Sequence, residues 1–232
     1  MNERNIDWAN LKNPHLFING DCMEYMREMP DNAFELAIVD PPYGIGEDGG
    51  RFRDRKGGGH RVLPKKAWDN GRPPIEYFHE LQRVSQNQIV WGGNYFADRL
   101  PVSRCWLYWQ KLMGGDFSDG ELAWTSFDKV VKEFTYCNKY HGKIHPTQKP
   151  VALYKWLLTN YAKQGDKILD THVGSASSLI ACYDMGFDAV GFELDPDYYK
   201  ASKQRLDDFM AQPRLEEACN KELEQIQLME VE

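Results

Sequence analysis

The chain has no long apolar run, no Cys-x-x-Cys pair, no basic leader and no internal repeat. Its uninterrupted apolar stretches stay short, as in Leu36 to Val39, far below the roughly 20 residues that a membrane helix requires. No segment is expected to span a bilayer, and no membrane partner follows. The start, Met1-Asn-Glu-Arg-Asn-Ile-Asp, carries neither a basic cluster nor an apolar core, so no export signal is expected and the reading is a cytoplasmic protein. Five cysteines, at 22, 105, 137, 182 and 219, are odd in number and widely separated. That argues against both a disulfide framework and a zinc site, and no metal is expected.

What the chain does have is material for a core. Hydrophobic residues at 42% and aromatics at 13% of 232 residues are enough to cover one, since a chain of this length buries roughly 70–75% of its unfolded surface. Disorder is excluded for most of it. One α/β domain over residues 1–232, with an added loop and insertion, is the expected organisation.

Charge is unevenly spread. The net charge of -7 argues by itself against a polyanionic partner. Yet residues 51–72 hold eight basic side chains against Asp54 and Asp69, a local balance of +6, whereas 201–232 hold four basic and eight acidic residues. A basic, Gly-rich loop over about 44–72 reads as a phosphate-contacting arm, although a solvated flexible loop would carry the same composition.

Short apolar runs alternate with helical segments, the pattern of a mostly parallel sheet covered on both faces. Strands are expected at Leu16–Ile18, Leu36–Val39, Gln88–Trp91, Lys167–Asp170 and Ala189–Glu193, and helices near 22–29, 74–85, 147–162, 177–185 and 195–219. Between about 99 and 142 the pattern turns irregular, with Trp106, Tyr108, Trp109 and Trp124 among polar residues. Further strands and a small recognition insertion are expected there. Asp21, Asp40, Asp170 and Glu193 all stand at or just after strand ends. In open α/β sheets such positions line the ligand crevice, although acids also cap the helices that follow strands.

Val39-Asp40-Pro41-Pro42-Tyr43 sets an acid, two prolines and an aromatic ring directly after a buried strand. Consecutive prolines fix φ and hold the acid, the exposed carbonyls and the ring in one orientation. That arrangement suits a planar ring bearing an amino group: Asp40 and a proline carbonyl accept its two hydrogens, and Tyr43 stacks on its face. Two other patterns lead nowhere. Gly44-Ile-Gly-Glu-Asp-Gly49 spells G-x-G-x-x-G but runs into Arg51-Phe-Arg rather than an apolar helix, so a dinucleotide loop is not expected. His141 and His145 are four apart, but Pro146 breaks the helix that would align them on a metal.

Asp40-Pro41-Pro42-Tyr43 resembles the catalytic motif of DNA amino-methyltransferases, and the other segments agree with that family in order. Asn19-Gly20-Asp21-Cys22 precedes it. Trp91-Gly92-Gly93-Asn94-Tyr95-Phe96, His145-Pro-Thr-Gln-Lys149-Pro150, Asp170-Thr-His-Val-Gly174-Ser175 and Gly191-Phe-Glu193 follow it. The similarity covers about residues 15–205, and the catalytic motif preceding the cofactor motif resembles the permuted β class. It implies a Rossmann-like methyltransferase fold with a mostly parallel seven-stranded sheet, S-adenosylmethionine as cofactor, and DNA as partner. Asp40, Pro41, Pro42 and Tyr43 are implied as catalytic, and Asp21, Cys22, Asp40, Lys149, Asp170, Gly174, Ser175 and Glu193 as cofactor-binding. Glu193 falls 23 residues beyond Asp170, the range at which an acid clasps ribose hydroxyls. Ala176 stands where the family usually has a second glycine. Arg51, Arg53, Arg55, Lys56 and Arg61 are the expected DNA contacts, with a homodimer and a cognate restriction endonuclease as the family's further partners.

The resemblance implies methyl transfer to N6 of adenine, because Asp rather than Ser stands at position 40. An N4-cytosine methyltransferase and a catalytically inactive DNA-binding homologue are the alternatives. A protein or RNA amide methyltransferase would resemble an Asn-Pro-Pro-Tyr version instead.

Overall fold

Short strands buried along most of their length, separated by amphipathic or buried helices, generate the architecture. The computed structural model describes residues 6–8, 15–52, 61–112, 118–137 and 143–212. The first half of the chain forms β1 (His15–Asn19), α1 (Cys22–Met26), β2 (Phe34–Val39), β3 (Gly50–Phe52), β4 (Arg61–Leu63), α2 (Ile75–Val84) and β5 (Ser85–Trp91). There follow β6 (Trp106–Gln110), β7 (Gly120–Thr125), β8 (Lys132–Thr135), α3 (Val151–Tyr161), β9 (Lys167–Asp170), α4 (Ser177–Met185), β10 (Asp188–Glu193) and α5 (Pro196–Met210).

One sheet of eight strands runs β1-β10-β9-β2-β5-β7-β6-β8. The first five are mutually parallel, β7 pairs antiparallel with β5 and β6, and β8 runs parallel to β6. This is the expected Rossmann-like, mostly parallel α/β fold. Seven strands are expected and eight are found, because the irregular segment between 99 and 142 contributes three strands to the same sheet. β3 and β4 form a separate antiparallel ribbon.

β2 shows how the sequence builds both layers. Successive strand side chains point to opposite faces, so Leu36 and Ile38 join a core with Leu153 and Leu157 of α3 and Leu179 and Ile180 of α4. Ala37 and Val39 face the other way, into a core with Met26 of α1 and Tyr77, Phe78 and Leu81 of α2. A strand buried on both faces must read as a continuous apolar run, as this one does. Trp109 and Trp124 enter opposite cores, which accounts for the aromatic residues of the irregular segment as packing groups.

Helix boundaries follow proline and glycine. α3 begins at Val151 rather than 147 because Pro150 takes an extended conformation at its N-cap, ψ 145°, and a proline drives the residue before it out of the helical region. α4 ends where expected, at Gly186 with φ 72°, a left-handed position that suits glycine. α5 ends at Met210 with Ala211 as its C-cap, short of the expected 219, and residues 213–219 lie outside the described residues. Cys22, Cys105 and Cys182 are buried free thiols and Cys137 is an exposed one. Among the described residues no helix is long and apolar enough to cross a membrane.

Candidate active site

The five parallel strands deliver their carboxyl ends to one edge of the sheet, and the expected acids meet there. Glu193 closes β10 and Asp170 closes β9, while Asp21 and Asp40 follow β1 and β2. Asp21 is the N-cap of α1 and accepts from the Met23 N–H at 2.9 Å. Cys22 is buried behind it, and burial pushes its thiol up, so it is a neutral packing group.

The β9–β10 side of the cleft is held by backbone donors. Glu193 Oε2 accepts from the Gly174 N–H and Oε1 from the Asp195 N–H, both at 2.9 Å. Asp170 Oδ1 accepts from the His172 N–H at 3.0 Å, and the Ser178 hydroxyl donates to Oδ2. Burial pushes both carboxyls up to about 7. A carboxylate has about four acceptor sites, and Glu193 uses two, which leaves it able to take two hydroxyls. Between them the loop turns through Gly174, φ 56°, where an added Cβ would stand 3.6 Å from the His145 ring, an ordinary contact distance. Ala176, at the N-cap of α4, is also left-handed with φ 62°. This is the expected departure from glycine, and the conformation costs a non-glycine residue about 1–2 kcal/mol. Ser175 is buried with its hydroxyl 3.1 Å from that of Ser177, and its carbonyl accepts from Arg205. His145 is buried, 3.1 Å from the Thr147 hydroxyl and edge-on to Tyr198, and burial pushes it down to about 3.

The β2–β5 side carries the Asp40 segment. Tyr43 donates its hydroxyl to Asp40 Oδ1 at 2.5 Å, and its ring stacks on Tyr95 with centroids 4.9 Å apart at 16°. Gly92 makes this possible. It lies at φ 67°, and a Cβ there would come within 2.2 Å of Tyr43 Cε1. The Trp91–Phe96 segment is thus the wall against which the tyrosine is laid.

Resemblance sets Lys149 around the methionine end of a cofactor. Its buried ammonium pairs with Asp40 Oδ2, stands 2.9 Å from Glu121 Oε2, donates to Tyr43 Oη at 3.3 Å, and lies close enough to Asp170 to draw that carboxyl's pKa down. Burial works against the charge, but Asp40 and Glu121 outweigh it and raise the Lys149 pKa. Burial pushes Asp40 itself above the ordinary carboxylate range, against the pull of Lys149.

Sequence reasoning missed Glu121, Lys111 and Asp69. Glu121 was visible only as an acid inside a strand whose later residues are apolar. Asp69 is buried and accepts from the Gly44 N–H at 2.7 Å and the Glu47 N–H at 2.8 Å, so it ties the G-x-G-x-x-G turn to the loop before α2. Among the described residues, the element directly after that turn is the strand β3. Of the basic arm, Arg53, Arg55 and Lys56 lie outside the described residues. Arg51 and Arg61 fall on the β3–β4 ribbon, in register with Val62 and Phe52. Lys66 bridges Asp195 and Asp197, and Arg72 bridges Asp98 and the Tyr95 carbonyl, so these two cations are engaged within the protein. Among the described residues no group of three His, Cys, Asp or Glu forms a metal cluster.

Comparison with known proteins bears on this cleft. The chain is similar to YubD of Escherichia coli (strain K12), a protein named as a methylase, with 28% identity covering 82% of this chain and 89% of that one. Among solved structures it resembles M1.HpyAVI in complex with SAM, with a TM-score of 0.56, 16% identity, and 83% of this chain and 98% of that one covered. It also resembles the cytosine-N4-specific PvuII DNA methyltransferase, with a TM-score of 0.56 at 13% identity over 83% and 90%. The N6/N4 Mtase family model, described as DNA methylase, matches residues 88–204, from β5 to α5 and just over half of the sequence, beginning beyond the Asp40 segment. The chain belongs to this family of N6/N4 DNA methylases.

Proposed function

We propose that the protein transfers a methyl group from S-adenosylmethionine to the N6 amino group of adenine in DNA, as a β-class enzyme of permuted motif order. One observation carries this reading: Asp40, joined to Tyr43 and Lys149, stands at the end of β2, and β2 lies beside β9, whose own end holds the Asp170 loop. An amine acceptor and an adenosine-type cradle thus share one edge. The permuted order corresponds to β2 preceding β9 in the chain, and adenine over cytosine rests on Asp at position 40.

The residues fit the cofactor. Glu193 retains free lone pairs for ribose hydroxyls, Asp21 lies one strand over for the adenine end, and Asp170, Gly174 and Ser175 precede α4, whose N-terminal N–H groups suit a carboxylate. Bound there, S-adenosylmethionine would supply a sulfonium methyl, exchanging its S–C bond for an N–C bond to the amine, whose released proton would pass to water. The chain's own task is to present the base. A flipped base, extruded at a cost of a few kcal/mol, stacks on Tyr43 and donates its amino hydrogens to Asp40 and the Pro41 carbonyl. Pro42 fixes the turn. The nitrogen lone pair is then left free for in-line attack.

Two measurements test the binding half of this reading. Glu193→Ala is expected to weaken S-adenosylmethionine binding by about 1.5–3 kcal/mol, the scale of hydrogen bonds to a charged group. Calorimetry reads this directly, and an unchanged dissociation constant would place the ribose elsewhere. For DNA, the proposed contacts are Arg51, Arg53, Arg55, Lys56 and Arg61. Converting all five to Gln should flatten the slope of log K against log salt by about 0.9 for each phosphate no longer neutralised and leave cofactor affinity unchanged. Duplex titrations at several salt concentrations measure it, and superimposed lines for the two proteins would exclude this arm from DNA binding.

A further inference from the structure

Four charged side chains from four segments meet beside the catalytic candidate. Asp40 follows β2, Glu121 is second in β7, Lys111 follows β6, and Lys149 ends the segment leading into α3. Strand register brings them together: the antiparallel pair Gln110↔Gly120 carries the end of β6 and the start of β7 to the carboxyl edge of β5, where Trp91 pairs with Ala123. Lys149 binds Asp40 Oδ2 and stands 2.9 Å from Glu121 Oε2, and Lys111 pairs with Glu121 Oε1. Two cations and two anions cancel, as burial of charge demands.

Only Asp40 in this group has a part in the reaction proposed above. A lone Asp40–Lys149 pair would already balance its charge, so the second carboxylate on the same ammonium requires a reason. Lys149 is 3% exposed, so an ammonium there with Asp40 as its one carboxylate would turn more of its donors toward Asp40. Those donors would compete with the amino hydrogens of the base for the lone pairs of Asp40. Held between two carboxylates, the ammonium favours the ionised form of Asp40 and leaves acceptor capacity over.

We propose that Lys149 and Glu121 are positioning residues for the methyl-accepting amine: the ammonium, divided between Asp40 and Glu121, holds Asp40 as an oriented carboxylate with lone pairs open to the amino hydrogens of the target base. This rests on the reading of Asp40 given above.

The other groups around Asp40 leave Lys149 as the cation that determines its charge. Tyr43, Tyr77 of α2 and Tyr154 of α3 are buried hydroxyls whose pKa values are pushed well up by burial. Asp170, at the end of β9, adds like charge. His145 is neutral through burial, while Lys143 is lowered by burial and by Lys111, which faces Glu121 on the side away from Asp40.

The test compares Lys149→Met, Glu121→Gln and the double variant with wild type. Removing the cation leaves two carboxylates facing each other and raises the pKa of Asp40 further. Asp40 must be ionised to act, so the acid limb of kcat/KM against pH moves upward, by about one to three pH units. Glu121→Gln in the Lys149→Met background removes the like charge and returns the limb at least halfway. A protein in which Lys149 and Glu121 served only to fold the site would show no such return. Glu121→Gln alone is isosteric and moves the limb downward, so it decides the matter if Lys149→Met does not fold. A limb unmoved in every folded variant overturns the proposal. The same titration read by 13C NMR of the Asp40 carboxyl, assigned through Asp40→Asn, needs no turnover. If wild type transfers no methyl, the functional reading fails while the carboxyl titration still reports whether Lys149 and Glu121 determine the charge of Asp40.

Discussion

Asp40→Ala is expected to abolish detectable methyl transfer while S-adenosylmethionine binds within about tenfold of wild type, the signature of removing an interaction formed in the transition state and not in the ground state. The fold should survive. Breaking a buried ion pair usually costs about 3–5 kcal/mol because a charge is left uncompensated, and a loss of that order is expected here, since Lys149 and Lys111 are left to share Glu121. Asp40→Asn sharpens the result. It keeps the shape and an acceptor oxygen for the Tyr43 hydroxyl but offers one acceptor where the carboxylate offered two, so transfer should remain at background. Calorimetry with the cofactor and a tritiated-methyl assay on DNA give the two halves, and wild-type turnover in either variant would remove Asp40 from the mechanism.

The second large effect is expected at a residue with no side chain. Gly92 holds φ 67°, and a methyl group there would meet Tyr43 Cε1 at 2.2 Å and Cζ at 2.5 Å. Gly92→Ala therefore incurs about 1–2 kcal/mol of left-handed strain and about 1–3 kcal/mol of overpacking. The backbone cannot yield easily, since the Gly92 N–H donates to the Leu122 carbonyl and a tight turn follows at Gly93–Tyr95. The ring must move, which breaks its hydrogen bond to Asp40 and its stack on Tyr95. Transfer should fall to background together with the loss of stability. Urea unfolding separates the two contributions: in a Tyr43→Ala background Gly92→Ala should cost only the left-handed strain, because the collision partner is gone. An equal cost in both backgrounds would show that the two residues do not meet.

The parts of the fold legible in the sequence are those where local chemistry and tertiary structure agree. The run Leu36–Val39 announces a doubly buried strand because each of its residues enters one core or the other. The acids at 21, 40, 170 and 193 were legible as one cleft because parallel strands share an edge, and no long-range information is needed to place them there. Proline shifts a boundary: Pro150 delays α3 to Val151. The stack of Tyr43 on Tyr95 is not legible, because the two residues lie more than fifty positions apart and meet only through the fold.

The Lys149–Glu121–Lys111 network was not legible, for a physical reason. Its members are brought together by strand register across β6 and β7, a relation of pairing that leaves no mark in local periodicity. Nothing in Gly120-Glu121-Leu122 says whether the acid faces solvent or a buried ammonium. Asp69 was hidden likewise, because its partners are the N–H groups of Gly44 and Glu47, more than twenty residues away. The pairing of Lys149 with Asp40 is hidden too, because the resemblance supplies a position in a motif and not the partner of its side chain.

The proposed methyl acceptor is N6 of adenine in DNA. It is tested by incubating the purified protein with unmethylated DNA and S-adenosylmethionine labelled in the methyl group, digesting the DNA to nucleosides and identifying the labelled one by mass. N6-methyldeoxyadenosine carrying the label, absent when Asp40→Ala replaces the wild type, is the predicted result. Label in N4-methyldeoxycytidine would contradict the assignment of the base, and label in neither nucleoside would contradict the assignment of the reaction.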